Sequence, residues 1–284
     1  MHAGFLGLGN LGRAIATRLR EQGVDLTLWN RTAAKAAALG LPVADTPADL
    51  VGRVPAVMLC LADSDAVEVV LRGKDGLLSG DCAGKLIIDC TTNHHAPVLL
   101  FHQLCRQKGA RYVEAPVAGS VAPAAAGRLV VMASGEARDI HAARPLLELI
   151  AASIHELGEP GLATRMKLVN NLCLGAIMAA VAEALATAEA AGIPAEQALA
   201  VLGEGGGKSL VLDAKREKLL AGDWSPHFSI DMICRWPRAA SMNDAAPVLL
   251  IVGMFQRHRP LPLPSAVHIR PRVRLRRPGR RGSR

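Results

Sequence analysis

Aromatic side chains are scarce in this chain, at 3% of its 284 residues, whereas hydrophobic residues make up 50%. The interior must therefore be built mainly from Ala, Leu, Val and Ile. A chain of this length can bury the core of one large domain or of two medium-sized domains.

Metal-binding and redox cysteine motifs are also absent. No two of the cysteines form a CxxC pair; they are Cys60, Cys82, Cys90, Cys105, Cys173 and Cys234. Adjacent His94 and His95 would point apart at a helix start, and no acidic or cysteine partner stands at ligand spacing. Separate thiols are typical of a reducing compartment, and glycines interrupt any signal-peptide pattern at the N-terminus. We therefore expect a cytoplasmic protein with reduced thiols and no metal site.

Basic charge is not in excess outside the last fifty residues. The formal net charge is +8, but residues 235–284 hold 12 of the 33 basic residues and only one of the 25 acidic residues. Subtracting these leaves a net charge of −3 for residues 1–234. We therefore expect no nucleic-acid binding by the globular part of the chain.

The most apolar stretch, residues 172–193, is not free of polar side chains. It contains Glu183, Thr187 and Glu189. This composition favours a helix buried between domains or subunits over a membrane-spanning one. We therefore expect no membrane partner.

A glycine-rich motif follows the first apolar segment. The hydrophobic pattern predicts a short buried strand at residues 3–8, a helix at residues 10–22 and a second strand at residues 25–29. The GxGxxG motif between the first strand and the helix consists of Gly7, Leu8, Gly9, Asn10, Leu11 and Gly12. Its glycines permit a tight turn, close approach of a pyrophosphate and close packing of helix on strand. A lone GxGxxG is weak evidence, but this strand–turn–helix context predicts a dinucleotide site.

The end of the second strand lacks the acidic residue that binds the ribose diol of NAD in many such folds. Asn30, Arg31 and Thr32 stand there instead. The guanidinium of Arg31 suits a 2′-phosphate, so we expect NADP(H), with NAD(H) less favoured. The alternative is that Arg31 is an ordinary solvated residue in the first turn of a helix.

Strands and helices continue to alternate up to about residue 158. Further strands are predicted at 55–61, 85–89, 111–114 and 153–157, and helices at 63–72, 95–108 and 136–150. Ala62 and Thr92 follow two of these strands at their carboxyl ends, where ligands bind in parallel sheets. Only helices are predicted afterwards, at 162–191, 194–203 and 208–221. The prediction is an α/β Rossmann domain (1–160) followed by an all-α helical domain (161–234) and an Arg/Pro-rich tail (235–284).

The segment of small residues after the 111–114 strand, residues 114–120 (EAPVAGS), leaves room for a ligand. Its backbone amides could hold a carboxylate. On this evidence alone, an ordinary loop is an equal alternative.

A lysine and two asparagines share one face of the predicted 162–191 helix. Asn170 and Asn171 stand three and four residues after Lys167. A lysine that is desolvated can transfer protons near neutral pH, and carboxamides can orient it or a substrate oxygen. The alternative is a lysine on a solvated helix face.

Four motifs in this order resemble those of the β-hydroxyacid dehydrogenase family. The family includes 3-hydroxyisobutyrate dehydrogenase, tartronate semialdehyde reductase and the glyoxylate/succinic semialdehyde reductases. The matching segments are GFLGLGNLGRAIA, WNRT, EAPVAGS and GxxGxxxxxKxxNN, within residues 2–234. WNRT and EAPVAGS favour the glyoxylate/succinic semialdehyde reductase branch.

The resemblance implies an NADPH-dependent oxidoreductase, a dimer or tetramer, that acts on a small carboxylate substrate. It implies that Lys167 is the general acid/base and that Asn171 anchors both Lys167 and the substrate. Substrate binding is assigned by the resemblance to Ala118, Gly119, Ser120 and Asn170. Leu61, Ala62 and Thr92 would lie beside the nicotinamide and its ribose.

Two departures from the family pattern bear on activity. Ala118 replaces the usual serine, which removes one hydroxyl contact to the substrate. After residue 234, Arg235, Trp236 and Pro237 begin the Arg/Pro-rich tail in place of the family's Lys-Asp-Leu motif and its later core helices. A reading-frame change near Cys234 is our hypothesis for the tail, and translation of the other frames tests it. The alternative function is a catalytically impaired NADP-binding remnant.

Overall fold

The structure is a computed structural model, and it describes residues 1–223. The predicted tail, the end of the predicted helical domain and Cys234 lie outside the described residues.

Within residues 1–223 the chain forms eight strands, seven of which contain at least one β-branched residue. They are β1 (His2–Leu6), β2 (Asp25–Trp29), β3 (Ala56–Leu59), β4 (Leu86–Asp89), β5 (Arg111–Glu114), β6 (Val117–Ala118), β7 (Leu129–Ser134) and β8 (Ala151–Gly158).

Ten α-helices accompany these strands in the described part of the chain. They are α1 (Asn10–Glu21), α2 (Ala33–Ala37), α3 (Pro47–Arg53), α4 (Ser64–Arg72), α5 (His95–Gln107), α6 (Val121–Ala125), α7 (Ala137–Glu148), α8 (Leu162–Ala190), α9 (Ala195–Glu204) and α10 (Leu210–Ala221). A 3-10 turn lies at Leu77–Ser79.

All eight strands join one sheet, in the order β2-β1-β3-β4-β5-β7-β6, with β8 beside β7. The first five strands are parallel, and β7 runs antiparallel to β5 through the single pair Glu114 and Ser134. The chain leaves β1 in one direction to form β2 and returns on the other side of β1 to form β3. Ligands of open α/β sheets bind at such a reversal, so the fold itself points to the carboxyl ends of β1 and β3.

Each face of the sheet has its own apolar core. Ile15 of α1 and Leu147 of α7 belong to one core, whereas Leu50 of α3 and Phe101 of α5 belong to the other. Helices therefore cover both faces of a mostly parallel sheet, and α8 to α10 form a separate, smaller apolar cluster. The predicted fold class, an α/β Rossmann unit followed by helices, is confirmed.

Several short elements were not predicted from the sequence. These are α2, α3, α6 and β6, and the ends of the predicted strands differ from the observed ones by at most two residues. A start signal for α3 is present, because the side chain of Thr46 accepts a hydrogen bond from the amide of Asp49 and Pro47 occupies the first turn.

Helix α8 is long and apolar enough to cross a membrane by length and composition alone. Its most apolar 18-residue window has a mean hydropathy of 1.7, and 28% of that window is buried. One such helix is weak evidence for a membrane span, because core helices share these properties. Burial between subunits, as predicted from the sequence, stays a prediction.

Candidate active site

A single cleft at the carboxyl ends of β1, β3 and β4 brings together nearly all of the predicted site residues. It is lined by Gly7, Gly9, Asn10, Leu11, Gly12, Asn30, Arg31, Thr32, Leu61, Ala62, Thr92, Ala118, Gly119, Ser120, Lys167, Asn170 and Asn171. Its volume of about 3200 Å³ exceeds that of an ordinary small-ligand pocket because it continues along α8 and α10. The cleft thus has room for a dinucleotide and a second, small molecule.

Leu8 is the predicted site residue whose side chain the structure places elsewhere. It is 3% exposed and packs into one of the two sheet cores. Its amide donates a hydrogen bond of 2.8 Å to Oδ1 of Asn30. Leu8 therefore fixes the glycine loop and presents no side chain to the cleft.

The glycine loop is shaped by sterics that only glycine satisfies. Gly7 has φ +91°, and a Cβ there would lie 2.3 Å from the carbonyl oxygen of Cys60. A Cβ at Gly12 would lie 1.9 Å from the carbonyl oxygen of Gly7. At Gly9, by contrast, a Cβ would have no protein atom within 4 Å. The open space beside Gly9 fits the close approach of a pyrophosphate.

The N-terminus of α1 faces the same place. Its N-cap residue is Gly9, no side chain caps it, and its first turn holds no acidic residue. The first amides of a helix are good donors to anions, and the helix dipole favours negative charge there. The loop and the helix together fit the diphosphate of a dinucleotide.

Asn30 acts as a brace at the end of β2. Asn30 accepts a hydrogen bond from the Leu8 amide, and its Nδ2 donates one of 2.9 Å to the carbonyl oxygen of Thr32. Arg31 and Thr32 are exposed and line the cleft, as does Lys35 in α2. Lys35 was not predicted as a site residue. The sequence signal that could have identified it is its position four residues after Arg31, shortly after the end of β2.

The loops after β3 and β4 are held by a buried carboxylate. Asp89 is fully buried and accepts hydrogen bonds from the Thr91 amide (2.8 Å), Asn93 Nδ2 (2.8 Å) and the Tyr112 hydroxyl (2.6 Å). Burial raises the pKa of Asp89, and these donors oppose that rise. The hydroxyl of Thr91 accepts a hydrogen bond from the amide of Leu61. Both loops that carry predicted nicotinamide contacts are therefore rigidly linked.

The segment with Ala118 and Gly119 lines the same cleft as these loops. Gly119 has φ +129°, and a Cβ there would lie 2.7 Å from Leu129 Cδ2. Glycine is therefore required at this turn, which exposes Ser120 at the cleft.

Lys167 and Asn171 are buried one helical turn apart on α8. Lys167 is 8% exposed and Asn171 is 4% exposed. Burial lowers the pKa of Lys167 from 10.5 to about 8. These observations disfavour the alternative of a solvated lysine, and they place an amine that can gain or lose a proton near neutral pH inside the cleft.

Asn171 also offers an unused donor beside Lys167. Within residues 1–223, its Nδ2 is buried and has no hydrogen-bond partner. Its Oδ1 accepts a long hydrogen bond of 3.4 Å from Asn170 Nδ2. A buried amide without a partner is costly, so a ligand oxygen is the natural acceptor for it.

The two adjacent histidines do not form a ligand set. Nε2 of His95 lies 2.8 Å from Nη2 of Arg165, a group that repels cations. No group of three or more potential metal ligands occurs within the described residues.

Models of two known families match consecutive parts of the chain. Residues 2–158 match the NAD-binding domain of 6-phosphogluconate dehydrogenase. Residues 161–236 match a second family model, which is described as NAD-binding of NADP-dependent 3-hydroxyisobutyrate dehydrogenase.

Curated relatives include enzymes and a nuclear protein. The chain is 31% identical to 2-(hydroxymethyl)glutarate dehydrogenase of Eubacterium barkeri, over 81% of this chain and 77% of the relative. It is 31% identical to glyoxylate/succinic semialdehyde reductase 1 of Arabidopsis thaliana, over 81% of both chains. It is 32% identical to cytokine-like nuclear factor N-PAC of Mus musculus over 85% of this chain, but it spans only 44% of that relative's length.

Two solved structures are similar over most of their length. Psf3 in complex with NADP+ and 2-OPP superposes with a TM-score of 0.81 at 28% identity, covering 89% of this chain and 93% of the other. The 3-hydroxyisobutyrate dehydrogenase of Mycobacterium tuberculosis with L-serine gives a TM-score of 0.73 at 27% identity, covering 84% of both chains.

Proposed function

Because this chain belongs to the 3-hydroxyisobutyrate dehydrogenase-like family, we propose that it is an NADP(H)-dependent oxidoreductase of a small hydroxy acid and its aldehyde or keto form. The observation that carries the proposal is Lys167, buried in the cleft that also contains the glycine loop. A titratable group in a cleft beside a nucleotide site suits proton transfer coupled to hydride transfer.

The residues of the glycine loop and the first amides of α1 would hold the cofactor's diphosphate. Arg31 and Lys35 would hold a 2′-phosphate, since both are exposed cations on the cleft wall. When bound, the nicotinamide cofactor supplies or accepts the hydride.

Lys167 handles the proton. In reduction, its ammonium donates a proton to the developing alkoxide oxygen; in oxidation, its neutral amine accepts the proton of the hydroxyl group. The unused Nδ2 donor of Asn171 would orient the same oxygen. Burial lowers the pKa of Lys167 to about 8, so both protonation states are accessible near pH 8.

The substrate carboxylate would bind at Gly119 and Ser120, which line the same cleft as Lys167. Ala118 offers no hydroxyl at the position where the family usually has one, which removes about one hydrogen bond's worth of selectivity, roughly 1 kcal/mol. We propose glyoxylate or succinic semialdehyde as the first substrates to test, because WNRT and EAPVAGS resemble that branch and an Arabidopsis relative bears that name.

Assembly into a dimer or tetramer is part of the proposal. It is supported by exposed apolar side chains on α8, among them Met166 (42%), Val169 (55%) and Leu172 (44%). A cytoplasmic location and the lack of nucleic-acid and membrane partners stay predictions.

The proposal is tested by titrating the full chain with NADPH and NADH and then following NADPH oxidation with each aldehyde. Saturable NADPH binding with turnover supports it. NADPH binding without turnover would instead favour the impaired remnant, and binding of neither cofactor would contradict the assignment of the glycine loop.

Cofactor selectivity should depend on Arg31. In Arg31→Ala we expect the NADPH dissociation constant to rise roughly 10- to 100-fold, because one charge-assisted contact to the 2′-phosphate is lost. NADH affinity should stay within about twofold, since NADH lacks that phosphate. Fluorescence titration with both cofactors measures this, and Arg53→Ala, which removes an exposed arginine paired with Asp49 on α3, is the control. An unchanged NADPH affinity would show that Arg31 is an ordinary solvated residue, and equal losses for NADPH and NADH would show that it does not select the 2′-phosphate.

A further inference from the structure

Glu114, the last residue of β5, is a fully buried carboxylate that lies outside the chemistry described above. It accepts hydrogen bonds from the amide of Gly161, the amide of Thr164 (2.9 Å) and the hydroxyl of Thr164 (2.5 Å). Gly161 is the N-cap residue of α8, and Thr164 lies in its first turn. The carboxylate therefore caps the helix that carries Lys167.

A second side chain from the sheet completes this cap. Ser134 is the residue of β7 that pairs with Glu114, and its hydroxyl accepts a hydrogen bond from the Ala163 amide at 2.9 Å. The start of a helix leaves several amides without internal partners, and a negative charge there is favoured by the helix dipole. One cross-strand pair thus supplies the acceptors for most of the first turn of α8.

Thr164, which donates to Glu114, lies on the face of α8 that carries Lys167, the candidate catalytic residue. Thr164 stands three residues before Lys167, so the two lie on the same side of α8, about one turn apart. Both are buried, with Thr164 1% exposed. A shift or rotation of the first turn would therefore move the amine of Lys167 with it.

The chain enters α8 through a constrained turn. Gly161 has φ +91°, and a Cβ there would lie 2.5 Å from Cε1 of His95 on α5. The amide that Gly161 donates to Glu114 is therefore fixed from both sides, by α5 and by the sheet.

The same edge of the sheet also anchors the cofactor side of the cleft. Asp89, which holds the loops after β3 and β4, is the residue of β4 that pairs with Glu114. Two adjacent carboxylates thus fix the loops beside the nicotinamide position and the helix with the lysine. The sheet would thus hold the start of α8 in a set place relative to the loops that are assigned to the cofactor.

Other titratable groups face Glu114 from neighbouring elements. Nε2 of His102 on α5 lies 3.6 Å from Oε1 of Glu114. Burial, then the charge of Asp89 and, more weakly, that of Glu114 raise the pKa of Tyr112 well above 10, so its hydroxyl stays a donor. A change at Glu114 would therefore affect the pKa of Tyr112 as well as the start of α8.

The geometry points to Glu114 as a positioning residue that sets the depth and rotation of α8 and, through Thr164, the place of the Lys167 amine. The inference rests on the proposed role of Lys167 as general acid/base. Its test includes a property of Lys167 that is measured without turnover.

The first test is the titration of the Lys167 amine in the full chain. After mild reductive methylation with 13C-formaldehyde, the NMR signal of Lys167 is assigned by its absence in Lys167→Arg. In Glu114→Gln, which keeps the shape but loses the charge and one acceptor, we expect the pKa to rise from about 8 by roughly one unit, because water reaches the amine of a loosened helix. Thr164→Val, which removes only the hydroxyl donor, should give a smaller rise and keeps the test available if Glu114→Gln fails to fold.

Thr46→Ala is the matched control, since it removes a side-chain cap from α3, far from α8. It should lower thermal stability but leave the pKa of Lys167 unchanged. Unchanged pKa values in both Glu114→Gln and Thr164→Val would overturn the inference, as would an equal rise in Thr46→Ala.

The second test measures the steady-state kinetics of the variants. In Glu114→Gln we expect kcat to fall about tenfold or more with the KM for NADPH within about twofold, because the amine is displaced while the nucleotide loop is intact. The pH at which the reduction rate declines should rise together with the pKa of Lys167. A loss of kcat that only follows the folded fraction, with an unchanged pH profile, would contradict a positioning role. If the wild-type chain has no turnover at all, the proposed function fails, and the titration alone still decides the role of Glu114.

Discussion

Replacing Lys167 with methionine is expected to lower kcat for aldehyde reduction by at least about 100-fold. Methionine fills a similar volume in the apolar wall but cannot donate a proton to the developing alkoxide. The buried site admits little water as a substitute acid, since Lys167 is only 8% exposed. Steady-state NADPH oxidation with glyoxylate or succinic semialdehyde measures the effect.

The loss should appear in kcat and not in cofactor binding. NADPH affinity should stay within about twofold of the wild type, because Lys167 lies on α8 and the diphosphate is assigned to the loop after β1. Lys74→Met, at an exposed lysine after α4, is the matched control and should retain full activity. A Lys167→Met variant that keeps more than about a tenth of kcat would show that another group transfers the proton.

Substituting alanine at Gly9 should abolish tight NADPH binding without unfolding the protein. A Cβ at Gly9 meets no protein atom within 4 Å, and its φ of −68° is open to any residue. The added methyl group would instead occupy the space assigned to the pyrophosphate. Overpacking of this kind costs roughly 1–3 kcal/mol, which corresponds to a rise in the NADPH dissociation constant of about 10- to 100-fold.

Substitutions at two further glycines distinguish an effect on NADPH binding from an effect on the stability of the fold. Gly52→Ala, on α3, also meets open space but lies away from the cleft, so it should change neither NADPH affinity nor the fold. Gly12→Ala should lose both, because its Cβ would lie 1.9 Å from the carbonyl oxygen of Gly7. NADPH titration and thermal unfolding of the three variants test this. Unchanged NADPH affinity in Gly9→Ala would contradict the assignment of the diphosphate to this loop.

The elements of the nucleotide unit could be predicted from the sequence because their signals are local. Gly7 and Gly12 are required by close contacts with the carbonyl oxygens of Cys60 and Gly7, and apolar runs mark the strands that precede and follow the loop. Short elements such as α2 and α6, with five residues each, leave too few positions for a periodic pattern.

The burial of Lys167 could not be predicted, although its helix could. Spacing shows that Lys167 and Asn171 share a face, but not what that face packs against. The anchor at Glu114 was missed for the same reason. Its partners Gly161 and Thr164 are 47 and 50 residues away, and the sequence assigned Glu114 only to the edge of a substrate loop.

The role of Asn30 is another feature that the sequence could predict only in part. Asn30 was predicted to bind the cofactor, and its position beside the cleft agrees with that. Both polar atoms of its carboxamide, however, are hydrogen-bonded within the protein. Oδ1 accepts from the Leu8 amide, and Nδ2 donates to the Thr32 carbonyl. Residue type and position indicated the right region, and only the three-dimensional contacts distinguish a brace from a ligand.

The pH dependence of kcat in both directions tests the central claim most directly. The folded-state pKa of Lys167 is lowered to about 8, so the ammonium that reduction needs is present below pH 8 and is lost above it. The neutral amine that oxidation needs has the opposite dependence. We therefore expect the reduction rate to fall and the oxidation rate to rise through about pH 8, with both transitions absent in Lys167→Met. Rates that show no such transition near pH 8, or the same transition in Lys167→Met, would contradict the role of Lys167 as the general acid/base.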